Sequence, residues 1–278
     1  MNGVLACLKP PGPTSHDIVA AVRRRAQVKV GHLGTLDPAA AGVLVLVLGP
    51  ATRLTAFAQG WEKTYVADVW LGIETHTDDD SGRPVGGTSA ERVSRARVED
   101  ALRAFVGRIR QRPPAVSAVK VGGQRLYRRN RNETVIEATE REVWVRSLEL
   151  LAFEPGRRAR VRLRVTTGKG VYVRALARDL GRALGVGGTM GFLLRTRVGP
   201  VDVAQTVTVE EWSRDPRVLP AATLLAGLDR RHLEPGSDPP FARAPLALTD
   251  ARGRVWGVLE PGVAGPGRIR RLVEEDRV

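Results

Sequence analysis

One carboxylate stands where a charge needs explaining. The stretch 31-GHLGTLDPAAAGVLVLVLG-49 places Asp37 in a glycine-punctuated turn just before an unbroken apolar run. Such a group serves as a turn residue, a metal ligand or a reacting group. Pro38 moves Asp37 out of the right-handed helical region and removes one backbone donor. Gly31 and Gly34 allow a tight turn and the close approach of another backbone. An Asp-Pro turn is by itself most often structural, so the local pattern leaves the three readings open.

Other chemistry-bearing residues are sparser. The four histidines, His16, His32, His76 and His232, have no HxxxH or HExxH spacing and no cysteine partners, which argues against zinc. The run Asp78-Asp79-Asp80 has the charge to hold Mg²⁺, but acids in a Ser/Gly/Pro-rich loop more often form a solvated turn. No phosphate-binding GxxxxGK[ST] loop and no GxSxG elbow occurs. Gly168-Lys169-Gly170, ahead of a helical pattern, reads either as a phosphate cradle or as a plain strand-to-helix turn.

The elements that must position these groups follow from periodicity. Residues 3–8 read as a strand, and Thr14 or Ser15 caps a helix over 16–26 with Ile18, Val19 and Val22 on one face. The run 43–48 has strand length and β-branched content, and 50–59 reads as a short helix with Pro50 in its first turn. A strand over 63–73, an acidic loop over 74–84, a helix over 96–106 and a strand over 115–121 come next. Residues 124–142 show no sustained period and form a long basic excursion. Two β-patterned stretches, 143–153 and 158–167, precede a helix ending near 184 with Leu176, Leu180 and Leu184 in line, then a strand over 190–199. Residues 235–240 have linker composition, and 245–278 reads as short strands between glycine turns. The expectation is an α+β fold: a mixed central sheet in a domain of residues 1–210, a connecting segment 211–244, and a small C-terminal β-rich module 245–278.

Composition limits the function classes. A chain of 278 residues is long enough to bury roughly 75% of its unfolded surface. One cysteine, Cys7, leaves no internal disulfide and suits a cytosolic setting. The N-terminal segment lacks a basic region and a long apolar run, and no apolar stretch approaches the ~20 residues that span a bilayer, so a soluble protein without a membrane role is expected. The net charge of +14 points to a polyanionic partner, most simply nucleic acid. Only five of the 44 basic residues are lysines (Lys9, Lys29, Lys63, Lys120, Lys169); arginine suits phosphate forks and base stacking, although a genome rich in arginine codons gives the same ratio.

Five ordered blocks then carry a resemblance. The string 31-GHLGTLDPAAAGVLVLVLGPATRL-54 is similar to the catalytic motif of the TruB family of tRNA pseudouridine synthases. Around it, 9-KPPGPTSHDIV-19, 62-EKTYVADVWLG-72 with the following Thr75, Thr77, Asp79 (or Asp78) and Gly82, 111-QRPPAVSAVKVGGQRLY-127 and 168-GKGVYVRALARDLGRALG-185 resemble the family's other blocks, over about residues 1–210. The resemblance implies isomerisation of uridine to pseudouridine at position 55 in the tRNA T loop. Asp37 would be the nucleophile, attacking the ribose C1′ or adding to uracil C6. A carboxylate is already ionised at neutral pH and needs placement more than activation.

In the same reading Arg174 pairs with that carboxylate, and Tyr65 stacks on the flipped base and relays its C5 proton. Extrusion of the base costs a few kcal/mol, and His32 would enter the space it leaves. Lys9 would support the floor of the site, Tyr172 would pack under the uracil, and Gly34, Thr35 and Lys169 would lie against the RNA. Residues 124–142 would clamp the T arm through phosphate contacts from Arg125, Arg128, Arg129 and Arg131. The end of the chain resembles an abbreviated PUA-type RNA-binding module. The implied reaction needs no metal, nucleotide or redox cofactor and no protein partner, so a cytoplasmic monomer acting on tRNA is expected. Without the motif, Tyr65 and Tyr172 read as ordinary structural aromatics, Lys9 as a surface charge, and Arg174 as a partner of Asp179 or another surface acid. A non-enzymatic RNA-binding or RNA-folding protein would need the arginines but not Asp37. A relative working with guide RNA would share the Asp37 motif but carry longer basic tails.

Overall fold

A computed structural model of the chain describes residues 1–115, 120–121, 124–125, 139–238, 240, 242–262 and 266–272, with the backbone alone at 120–121 and 124–125. In chain order the main strands are β1 (Gly3–Lys9), β2 (Val30–His32), β3 (Ala41–Leu48), β4 (Lys63–Leu71), β5 (Gly107–Gln111), β6 (Arg141–Glu154), β7 (Arg160–Thr167) and β8 (Gly188–Val198). They are followed by β9 (Arg230–His232), β10 (Leu246–Thr249), β11 (Val255–Glu260) and β12 (Arg268–Arg271). The helices are α1 (Ser15–Ala26), α2 (Arg95–Arg103), α3 (Val173–Ala183) and α4 (Val209–Arg214). The class is α+β, with a central mixed sheet and a separate C-terminal β-sheet, as the patterning requires.

The chain divides into two compact units. One holds Met1–Pro38, Gly42–Gly60 and Val198–Val278; the other holds Ala39–Ala41 and Trp61–Arg197. In the first, β3 pairs antiparallel with β1 from Gly3↔Leu48 to Lys9↔Gly42, and its C-terminal end pairs with β2. Every residue of β3 from Gly42 to Leu48 is buried, which is why its sequence is apolar on both faces rather than alternating. Leu5, Cys7, Leu44, Leu46 and Leu48 pack against Ile18 and Val22 of α1 and Trp212 of α4. A capping box starts α1: the Thr14 hydroxyl accepts from the Asp17 amide and the Asp17 carboxylate accepts from the Thr14 amide. The C-terminal sheet runs β9–β10–β11–β12, and its first strand lies within the connecting segment 211–244.

In the second unit the strands follow the order β8–β4–β7–β6–β5. The alternation in β7 is strict: Val161, Leu163 and Val165 are buried while Arg160, Arg162 and Arg164 face outward. That outward face is laced with ion pairs. Arg108 meets Glu142, Arg110 meets Glu140, Arg146 meets Glu62, Arg160 meets Glu154, Arg162 meets Asp68 and Arg164 meets Glu149.

Three expectations need correction. The stretch 50–59 is a 3-10 turn at Gly49–Leu54 followed by one α-helical turn at Thr55–Ala58, not a single helix. The loop 74–84 is not a solvated turn: Glu74–Thr75 pairs with Pro84–Gly86, and Asp78 and Asp79 are buried. The basic excursion gives way to strand at Arg141, so its last two residues open β6. Of the strand expected at 115–121, residues 116–119 lie outside the described residues, and Lys120–Val121 pairs with Gln124–Arg125.

Candidate active site

Within the first unit, the turn carrying Asp37 is fastened on both sides. Lys9 ends β1 completely buried, and its ammonium donates to the carbonyls of Pro10 (2.9 Å) and Pro38 (3.0 Å). The Gly12 amide donates to the same Pro38 carbonyl at 2.9 Å. On the other side of Asp37, buried Ser15 bridges both backbone groups of Leu36, its hydroxyl donating to the carbonyl and accepting from the amide. Leu36 is buried, Asp37 half-buried and Pro38 exposed. Gly34 adopts φ 99°, a conformation that a residue with a Cβ avoids, and Thr35 beside it is exposed. His32 lies on β2 opposite Leu46, with its ring edge-on to His16 at 5.8 Å. Lys9 is therefore an internal tether and not a surface charge.

Within the second unit, Tyr65 and Lys63 share one face of β4, two residues apart. Tyr65 is 8% exposed. Its hydroxyl meets Arg195 of β8, a guanidinium only 1% exposed. Burial pulls Arg195 below the ordinary guanidinium range, and its interaction with Tyr65 works the other way. Lys63 donates to the Trp61 carbonyl at 2.9 Å. Burial, with Arg195's charge behind it, brings the Lys63 amine down to about 8.

The i, i+4 spacing of Arg174 and Arg178 puts both on one side of α3, where each finds an acid of the 74–84 segment. Arg174, 5% exposed, donates to the Thr77 carbonyl at 3.0 Å and lies 3.4 Å from the Asp79 carboxylate. Arg178 bonds Asp78 at 2.7 Å and Asp179 at 2.8 Å. Asp79 also accepts from the hydroxyls of Thr77 and Ser81, and the Met190 amide bonds the Asp78 carbonyl. The acidic run is thus a bracket that holds two arginines, and Asp179 belongs to Arg178 rather than to Arg174.

Tyr172 precedes α3 without a side-chain cap. Buried Gln111 supplies the missing anchor, donating to the Tyr172 carbonyl at 3.2 Å and accepting from its amide at 3.1 Å. Arg141 lies over the Tyr172 ring, 4.9 Å from its centre. Lys169 is exposed, in a turn where Gly170 takes φ 85° and the Gly168 amide bonds the Trp144 carbonyl. The side chains of Arg125, Arg128, Arg129 and Arg131 lie outside the described residues.

Sequence reasoning gave Ser15 only as a candidate helix cap and did not single out Gln111 or Arg195. Ser15 and Gln111 act on the backbone of residues far along the chain, at 36 and 172, so only the fold shows the contact. Arg195 sits in a strand where alternating arginine reads as solvent-facing.

Residues 22–173 match the TruB family pseudouridylate synthase N-terminal domain, and residues 174–216 match the tRNA pseudouridylate synthase B C-terminal domain. The chain belongs to the TruB family of pseudouridylate synthases, and with that family it is an isomerase. Among its relatives is the tRNA pseudouridine synthase B of Symbiobacterium thermophilum, 47% identical over 232 residues, covering 83% of this chain and 78% of that protein. The protein of the same name from Thermobifida fusca is 42% identical and covers 98% of this chain and 94% of its own. Among solved structures, a Cbf5-Nop10-Gar1 complex is similar with a TM-score of 0.68 at 27% identity, covering 98% of this chain and 84% of that one. An H/ACA RNP bound to a substrate RNA containing 2'-deoxyuridine matches with the same TM-score at 25% identity, and with the same coverage of both chains.

Proposed function

We propose that this chain converts uridine 55 in the T loop of tRNA to pseudouridine, without a cofactor and with Asp37 as the nucleophile. The broader activity, isomerisation of uridine to pseudouridine in tRNA, rests on family membership and on relatives at 42–47% identity. The finer reading rests on one observation above the others: the turn carrying half-buried Asp37 is held from both sides by Lys9 and Ser15. That is what a group needing placement rather than activation requires.

In this reading the base leaves the stack and enters the site, and His32 fills the space behind it. The N1–C1′ bond breaks, the base turns, C5 bonds to C1′, the C5 proton leaves to solvent with Tyr65 as relay, and N1, freed of the sugar, takes up a proton from solvent. Attack of Asp37 at C1′ and addition at C6 both yield this balance. Arg174, which also bonds Thr77 and Asp79, is the proposed partner of the Asp37 carboxylate, and Tyr172 packs under the uracil. Gly34, Thr35 and Lys169 lie against the RNA, and Arg125, Arg128 and Arg129 neutralise T-arm phosphates. The catalytic part is residues 1–210, with the module 245–278 as a further RNA contact. The enzyme acts as a cytoplasmic monomer without a protein partner.

The deciding experiment is tritium release from [5-³H]uridine in an unmodified T-arm stem-loop. Wild type should release tritium, while Asp37→Asn should lose at least a thousandfold in rate and keep its RNA affinity. Release by the Asn variant would remove Asp37 as the nucleophile. Tight binding without release by either protein would leave an RNA-binding or RNA-folding protein.

A further inference from the structure

Arg195 is out of place by every compositional rule. It is among the largest fully buried side chains, and a buried guanidinium is retained only where it is bonded and neutralised. It lies on β8 beside β4, on the side where Lys63 and Tyr65 project, and its hydrogen bond goes to the Tyr65 hydroxyl. The flanking residues are polar but differently used: the Thr196 hydroxyl donates to the Thr64 carbonyl at 3.3 Å, and the Thr64 and Thr166 hydroxyls lie 3.1 Å apart. These contacts tie β4 to both neighbouring strands, so the Tyr65 backbone is fixed independently of Arg195.

A phenol oxygen has one O–H to donate and lone pairs to accept. A guanidinium has donors only. Arg195 must therefore donate, which occupies one lone pair and leaves the O–H for another acceptor.

We propose that Arg195 is the positioning residue for Tyr65: it fixes the phenol ring and the direction of its O–H so that the oxygen can relay the uracil C5 proton. The relay role of Tyr65 itself belongs to the proposed function, on which this inference rests. Arg195 contacts no substrate in this scheme and acts on the reaction through the tyrosine.

The test joins a structural and a kinetic readout in the full-length protein. The chain has three tyrosines, Tyr65, Tyr127 and Tyr172, so 3-fluorotyrosine gives three ¹⁹F signals, with Tyr65 assigned by its loss in Tyr65→Phe. In Arg195→Met the Tyr65 signal should shift or split while that of Tyr172 holds. Single-turnover tritium release should fall thirtyfold or more at unchanged RNA affinity. Arg195→Lys, which keeps a donor and the charge, should recover part of the rate, and it serves as the test protein if Arg195→Met does not fold. An unmoved Tyr65 signal, or a rate within threefold of wild type in the folded variant, overturns the proposal. Should Tyr65→Phe retain full activity, the relay reading of Tyr65 fails instead, and the ¹⁹F result still decides whether Arg195 holds the ring.

Discussion

Two lysines show how residue environment divides similar side chains into different tasks. Lys9 has no exposure and spends its donors on backbone carbonyls, so it serves as a fastener for the Asp37 turn. Lys63 is only half-buried, and burial with the nearby Arg195 charge brings its amine to about 8 from an ordinary value of 10.5. In the unfolded chain the amine returns toward 10.5, so between those two pH values the unfolded state holds more protons. Stability then rises with pH across that window, and the penalty is fully present below about 8. Replacing the amine by an uncharged chain of similar length, Lys63→Met, should flatten the rise. Thermal midpoints at pH 7.5 and 9.5 measure it, and a pH slope identical to wild type would show that Lys63 is not its source. At this scale the sequence revealed the catalytic candidates through their motif, yet not the side chains that hold them. Ser15 read as no more than a candidate helix cap, and Gln111 as an ordinary polar residue, because their partners lie 21 and 61 positions away.

At the scale of elements, helix α3 and strand β8 meet through glycine. A Cβ built on Gly181 would lie 2.1 Å from the Gly188 amide nitrogen, and one on Gly188 would lie 2.4 Å from the Ala177 carbonyl oxygen. The obstructing atoms are backbone, so the helix itself has to move. Gly181→Ala should therefore cost about 3 kcal/mol, the upper end of ordinary overpacking. Activity should drop further than stability alone explains, because α3 carries Arg174. Urea unfolding and tritium release on the same preparation check both, and a loss under 1 kcal/mol would mean that the helix–strand contact has slack. The well-patterned elements were legible: α1 from its cap and apolar face, β3 from its unbroken apolar run, β7 from alternation. Strand β5 was missed because GRIRQ offers a single apolar residue to read. The short α4 was missed although its capping box, Thr208 with Glu211, was there to be seen. The acidic run was misread because its counter-charges, Arg174 and Arg178, lie about a hundred residues downstream.

For the whole molecule the governing quantity is the excess of 44 basic over 30 acidic residues. Its effect depends on which arginines already have carboxylates. Those on the outer face of the second unit have them, from Arg108–Glu142 to Arg164–Glu149. Those at Arg128 and Arg129 were assigned to phosphate by sequence alone. Replacing both by alanine should weaken stem-loop binding and lower the slope of log K against log salt by about 1.4–1.8, near 0.7–0.9 per phosphate contact. Arg162→Ala and Arg164→Ala should leave that slope unchanged. Fluorescence anisotropy across a salt series measures both, and a reversed ranking would move the RNA to the outer face.

The paired outer face bears on how an encounter begins as well as where it ends. RNA gains entropy on a basic surface by shedding the small cations condensed along its backbone. A surface that brings its own carboxylates offers little such gain. Molecules that land on it drift away quickly, and the enzyme loses little time to collisions in the wrong orientation, even in a cell crowded with RNA that it does not modify.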